Sequence, residues 1–135
     1  MADREAVLFA NEAFYRAFAD RDAAAMEDIW ADRDELTCIH PGWGALYGRE
    51  AVIESWQAIL GNPQAPAIRC LAATARMHGE TAHVICFEEI DGNYLIATNL
   101  FIRQGRRWYL VHHQSGPTSE APPPDADAEG TGPIN

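Results

Sequence analysis

Apolar positions in the first half of the chain recur at helical spacing, and in the second half they alternate. Between about residues 3 and 20, Val7, Ala10, Phe14, Ala17 and Phe18 form one stripe, which predicts an amphipathic helix of some five turns. Asp20-Arg21-Asp22 interrupts it, and Asp22 is placed to cap a second, short helix that turns Met26, Ile29 and Trp30 inward. Residues 36–40 read as a short strand stopped by Pro41-Gly42, and a loop rich in Gly and aromatics runs to Gly48. Val52, Ile53, Trp56, Ile59 and Leu60 mark a third helix over about 49–60, with Gly61 as the expected C-terminal cap and Pro63 barring continuation.

The period then changes to two. Four long strands are expected at about 67–78, 81–90, 94–103 and 107–115, separated by Gly79-Glu80, Asp91-Gly92 and Gln104-Gly105. This is a β-meander. Strands so long must coil, and a coiled meander with three N-terminal helices has one economical packing, the sheet wrapped around the helices. The expected fold class is therefore α+β: a cone-shaped barrel of three helices on a curled, mostly antiparallel sheet. The domain spans residues 1–117. Residues 118–135, rich in Pro, Ala, Gly and acid, have little to bury and are expected to form a flexible acidic tail.

Composition narrows the classes of function. A net charge of -10, still -6 without the tail acids Glu120, Asp125, Asp127 and Glu129, argues against nucleic acid and against anionic membrane surfaces. No apolar run is long enough to span a bilayer, and the charged N-terminus does not read as a secretory signal, so the expected compartment is the cytoplasm. Cys38, Cys70 and Cys86 are odd in number and far apart, the pattern of buried inert thiols and not of a disulfide framework or zinc site.

If Asp91 and Gly92 are the central residues of their turn, Glu88 opposes Leu95, Cys86 opposes Ala97 and Val84 opposes Asn99. Glu88, Cys86, Ala97 and Asn99 then share one face. The last hairpin is open: a three-residue loop sets His113 opposite Ala97, and a two-residue loop sets His112 there. One slip exchanges the faces.

Residues 36–60, LTCIHPGWGALYGREAVIESWQAIL, and 98–115, TNLFIRQGRRWYLVHHQS, resemble the SnoaL-like branch of the nuclear transport factor 2-like superfamily. The resemblance covers about residues 3 to 117. It implies a pocket between the helices and the concave sheet face, and a homodimer that buries the convex face. It also marks His113 and Ser115, not His112, as pocket-facing. For function it is weak, since this fold hosts isomerases, cyclases, hydratases, dehydratases and binding or assembly domains.

His113 and His40 are the candidate acid/base pair, because an imidazole changes charge near neutral pH, and Glu88 could orient one of them. Against this, His40 could merely fix its loop through a backbone carbonyl. Asn99, a polar residue in an apolar strand, needs partners if buried, and a ligand is one candidate. Trp43 and Trp56 are candidate pocket walls, although Trp56 also fits the core face of its helix.

No metal site is expected: His112 and His113 are adjacent on a strand and point to opposite faces, so they cannot easily share an ion with His40 and Glu88. No cofactor is expected, because phosphate-cradling and dinucleotide motifs are missing, as is a nucleophile elbow. The acid-and-phenol constellation of steroid-type isomerases has no counterpart: the four long strands hold no Asp, and Tyr15 is the only plausible inner phenol. What remains is a small-molecule-binding domain for a compact, largely apolar ligand. The alternatives are a cofactor-free isomerase, cyclase or dehydratase using His113 or His40, and a homodimeric assembly module.

Overall fold

The structure, a computed structural model, describes residues 2–124. Helix α1 (Ala2–Ala19) precedes α2 (Ala23–Ile29), whose first turn is closed by the Asp22 carboxylate accepting from the Ala25 N–H at 3.0 Å. Strand β1 (Thr37–Ile39) and a two-residue β2 (Leu46–Tyr47) follow, then α3 (Arg49–Gly61). The meander is β3 (Arg69–His78), β4 (Thr81–Ile90), β5 (Asn93–Gln104) and β6 (Arg107–Pro117). The expected flexible tail falls mostly on residues 125–135, outside the described residues; residues 118–124 carry no helix or strand.

The strands form a single six-stranded sheet in the order β2-β1-β6-β5-β4-β3. Its pairs are antiparallel except β1 with β6, which are parallel, so the sheet is mixed. It does not close: β2 and β3 remain as edges, so the expected barrel is an open sheet. The α+β class and the three helices stand as expected. The sequence reading did not anticipate β2, because two residues in a Gly-rich loop carry no periodicity. Nor is Gly61 the cap of α3: it is the last helical residue, and Asn62 caps by donating its N–H to the Ile59 carbonyl at 3.2 Å.

The core lies between the helices and one sheet face. Val7, Phe14, Ala17 and Phe18 of α1 and Val52, Ile53, Trp56 and Leu60 of α3 pack on Ala82, Val84, Cys86, Ala97, Phe101 and Leu110. A smaller cluster on the opposite face joins Leu71 and Phe87 to Tyr94 and Ile96.

Turn chemistry sets most of the register. Asp91 (φ 51°) and Gly92 (φ 83°) both occupy the left-handed region that a two-residue hairpin turn requires, and the expected pairs Glu88↔Leu95, Cys86↔Ala97 and Val84↔Asn99 form. The last hairpin has a two-residue turn, one position on from the expected Gln104-Gly105, and a bulge that neither count from sequence included. Its turn is Gly105-Arg106, closed by the pair Gln104↔Arg107, and Val111 is an extra residue on β6 between the pairs Phe101↔Leu110 and Leu100↔His112. This β-bulge reverses the alternation, so Trp108 and Leu110 face inward before it and His113 and Ser115 after it. His113 therefore opposes Asn99, not Ala97.

Candidate functional site

A cluster of buried polar side chains interrupts the apolar core where α1, α3 and the inner face of β1 and β4–β6 meet. Glu88, Asn99, His113, Ser115, His40, Ser55 and Asn11 are all at most 8 % exposed. The bulge at Val111 delivers His113 and Ser115 to it, the β4–β5 register delivers Glu88 and Asn99, and His40 directly follows β1. Asn11 and Ser55 come from the inward stripes of α1 and α3.

At the centre, the hydrogen bonds fix orientations in sequence. Asn99 Nδ2 donates to Asn11 Oδ1 at 2.8 Å and to the Tyr15 hydroxyl at 3.3 Å. This leaves Asn99 Oδ1 as the acceptor for His113 Nδ1 at 2.5 Å, so His113 carries its proton on Nδ1. Its unprotonated Nε2 faces Glu88 Oε2 across 4.0 Å, a gap too long for a direct bond. Glu88 in turn accepts from the Tyr15 hydroxyl on Oε2 and from Ser115 Oγ on Oε1, each at 2.6 Å. The Cys86 thiol lies 3.3 Å from the Tyr15 oxygen.

Burial dominates the electrostatics. It raises the Glu88 carboxyl above the usual carboxylate range, although the bonds from Ser115 and Tyr15 pull the other way. It pushes His113 down to about 3, helped by His40 and His112, and His40 down to about 4. Both imidazoles are therefore neutral at pH 7. Tyr15 is raised, first by burial and then by the Cys86 and Glu88 charges. Two of the thiols are held protonated: burial lifts Cys38 to about 12, and Cys70 is raised by the neighbouring Cys86 thiol and by burial.

His40 forms the second half of the cluster. Ser55 Oγ donates to the Val52 carbonyl at 2.7 Å, so it accepts from His40 Nε2 at 2.9 Å, and His40 carries its proton on Nε2. Its ring centroid is 4.7 Å from Trp56, 6.4 Å from His113 and 4.6 Å from Trp43. Trp56 is 5.9 Å from His113, so the three rings form a triangle. Its indole N–H is buried and makes no hydrogen bond of normal geometry, leaning only on the Cys38 thiol. The indole N–H of Trp30 is likewise buried without a partner among the described residues.

Of the residues singled out from sequence, His113, Glu88 and Asn99 are thus joined directly, and His40 and Trp56 meet them through ring contacts. Trp43 stands apart, 47 % exposed, covering His40 from the solvent side in the Pro41–Ala45 loop. His112 faces the other way, and its Nδ1 is bonded to the Thr37 hydroxyl at 2.6 Å. Sequence reasoning missed Asn11 and Ser55. The signal was present: each is a polar residue on an otherwise apolar helical stripe.

Two surface depressions, of about 230 and 300 Å³, lie elsewhere. The first is lined by Ala6, Phe9, Ala10, Ile29 and Trp108 on α1, α2 and β6, and the second by Tyr47, Glu50 and Glu54 beside α3. Neither depression is lined by a residue of the polar cluster, which is closed over by protein side chains. Among the described residues no three His, Cys, Asp or Glu side chains are grouped to hold a metal ion. No helix among them is long and apolar enough to cross a membrane.

The SnoaL-like domain model matches residues 7–119, and the chain belongs to that family, within the nuclear transport factor 2-like superfamily. Among solved structures, a candidate dehydratase of the nuclear transport factor 2-like family from Streptomyces avermitilis is 31% identical, with a TM-score of 0.78 over 88% of this chain and 98% of that one. A candidate calcium/calmodulin-dependent protein kinase type II association domain from Thiobacillus denitrificans is 29% identical, with a TM-score of 0.74 over 82% and 93%. The F-box protein SKIP8 of Arabidopsis thaliana is 29% identical over 116 residues. The match covers 84% of this chain but only 50% of that protein, so the chain spans about half the length of this curated relative.

Proposed function

We propose that this domain binds a compact, largely apolar small molecule at the polar cluster, entered past Trp43, with the ligand's polar group meeting His113, Glu88 and His40. The observation that carries the reading is the bulge at Val111. One extra residue turns His113 and Ser115 onto Glu88 and Asn99, at the expense of a regular ladder, and so brings an imidazole to a buried carboxyl inside an apolar core. Buried polar groups destabilise a fold that could have closed on aliphatic side chains, and bulges recur beside functional sites. The Trp56 N–H supports it: buried, with only the Cys38 thiol to lean on, it makes no hydrogen bond of normal geometry, and a ligand acceptor would supply one.

The test uses benzoate, cyclohex-2-enone and indole as probes at millimolar concentration. At least one should raise the melting temperature and shift the imidazole ¹⁵N resonances of His40 and His113, and Trp43→Ala should alter that response. If no probe moves either signal, the reading fails.

A second reading has its own observation, the 4.0 Å approach of His113 Nε2 to Glu88 Oε2, together with 31% identity to a candidate dehydratase. In a cofactor-free dehydration of a β-hydroxy carbonyl compound, His113 Nε2 takes the α-proton while protonated Glu88 gives its proton to the departing hydroxyl, which leaves as water. The proton on His113 then returns to Glu88. Appearance of a conjugated carbonyl absorbance, lost in His113→Asn with probe binding retained, separates this reading from binding alone.

The assembly state belongs to the same proposal. The 41 % exposed Ile85 and the half-buried Tyr94 and Ile96, around the buried Leu71 and Phe87, give the outer sheet face apolar area where an uncovered antiparallel sheet is normally polar. A second copy of the chain is the partner that fits it.

A further inference from the structure

On the outer face of the sheet, away from the polar cluster, the β3–β4 hairpin sets two imidazoles side by side. Its turn is Gly79-Glu80, with Gly79 at φ 66°, and the cross-strand pairs are His78↔Thr81 and Arg76↔His83. Ala82 and Val84 point into the core, so His83 points out, and His78 joins it diagonally across the pair. His78 Nε2 lies 2.9 Å from His83 Nδ1, with the rings 18° apart and their centroids 4.9 Å apart.

We propose that His78 and His83 form a two-imidazole clip for a divalent transition-metal ion, Cu(II) ahead of Ni(II) and Zn(II). The juxtaposition carries the assignment. The facing nitrogens are 2.9 Å apart, within reach of one ion, since imidazole nitrogens about 2.0–2.1 Å from a metal lie about 2.9–3.4 Å apart in cis positions. Cu(II) leads because affinity at a nitrogen site rises to copper along the divalent first-row series. Two adjacent hydrogen-bonded strands hold the side chains at that separation before any ion arrives, which reduces the ordering cost of chelation.

Protons balance without an outside reactant. In the neutral pair one ring donates its N–H to the other. When the metal binds, that ring's proton passes through water to its own second nitrogen, and both facing nitrogens then present lone pairs. The surrounding charges set a modest affinity. Arg76, paired with His83 across the strands, opposes a cation, and the Glu80 carboxylate is held by Arg103 at 3.0 Å. The described residues hold no third clustered ligand, so water completes the coordination.

The test is a Cu(II) titration of the full chain in a non-chelating buffer, followed by electron paramagnetic resonance and by imidazole NMR. Two equatorial nitrogens should appear in the spectrum. Substoichiometric Cu(II) should broaden the His78 and His83 resonances before those of His40, His112 and His113. His78→Gln and His83→Gln should each weaken Cu(II) binding about tenfold or more, because either one converts a chelate into a single contact. Circular dichroism should remain unchanged, both residues being outside the core. Unaltered affinity in either single variant, a two-nitrogen spectrum that survives in the double variant, or earlier broadening at another histidine would each overturn the proposal.

Discussion

Replacing Asn99 removes three hydrogen bonds at once, those to Asn11, Tyr15 and His113. It leaves the His113 Nδ1–H and the Asn11 carbonyl oxygen buried without partners. Asn99→Ala should therefore lower the unfolding free energy by about 2–4 kcal/mol in a urea titration, and a loss below about 1 kcal/mol would show that the network is not coupled. Acid should act on the same residues. His40 and His113 have folded values near 4 and 3, below their unfolded 6.5, so the stability they contribute is full above pH 6.5 and drains as pH falls toward those values. Each contributes a slope of up to about 1.4 kcal/mol per pH unit. Glu88 works in the opposite sense: its value is raised, so its contribution is present below the usual carboxylate pKa and is lost as pH rises through the folded value. Glu88→Gln removes that offset and should steepen the acid limb between about pH 6.5 and 4; an unchanged limb would contradict the assignment of these shifts. Much of this cluster was legible from sequence, since a hairpin turn counted from Asp91-Gly92 puts Glu88 and Asn99 on one face. Asn11 and Ser55 were harder to read because a single polar residue on an apolar helical stripe looks like a break in the stripe until its partner across the core is known.

At the scale of elements, β6 shows why sequence left His112 and His113 undecided. Counting alternation from the turn end, through Trp108 and Leu110, brings His112 inward; counting from Ser115 brings His113 inward. Both counts are right for their own half of the strand, and the bulge at Val111 joins them. A period of two cannot announce its own interruption. The helices were legible because their stripes are long, whereas the side-chain contacts that hold one helix to another have no period. Arg49 makes such contacts. From the first turn of α3 its guanidinium donates to the carbonyls of Ala31 at 2.7 Å, Trp30 at 3.3 Å and Glu27 at 3.4 Å, tying α3 to the end of α2. Arg49→Ala should lower stability by about 1–3 kcal/mol and speed amide hydrogen exchange in α3. Arg49→Lys should rescue it only in part, since an ammonium lacks the fork that spans several carbonyls. Full rescue would mean that charge near Glu27 and Asp32, and not geometry, is what matters.

For the whole molecule, an apolar outer face and a polar inner cluster make separate demands. The outer face predicts a dimer in sedimentation velocity at micromolar concentration and a shift to monomer in Ile85→Lys, with circular dichroism unchanged; a monomeric wild type would remove the second copy from the account. The inner cluster makes the central claim, that the domain holds a small molecule behind Trp43. It is tested most directly by growing crystals and soaking them with benzoate, cyclohex-2-enone and indole. The account predicts density for a probe between Trp43, His40, Trp56 and His113, with the Pro41–Ala45 loop displaced to admit it. Probes bound only at other surfaces, with Trp43 still packed on His40 and the Glu88–His113 gap unchanged, would contradict it and leave the polar cluster as a structural network.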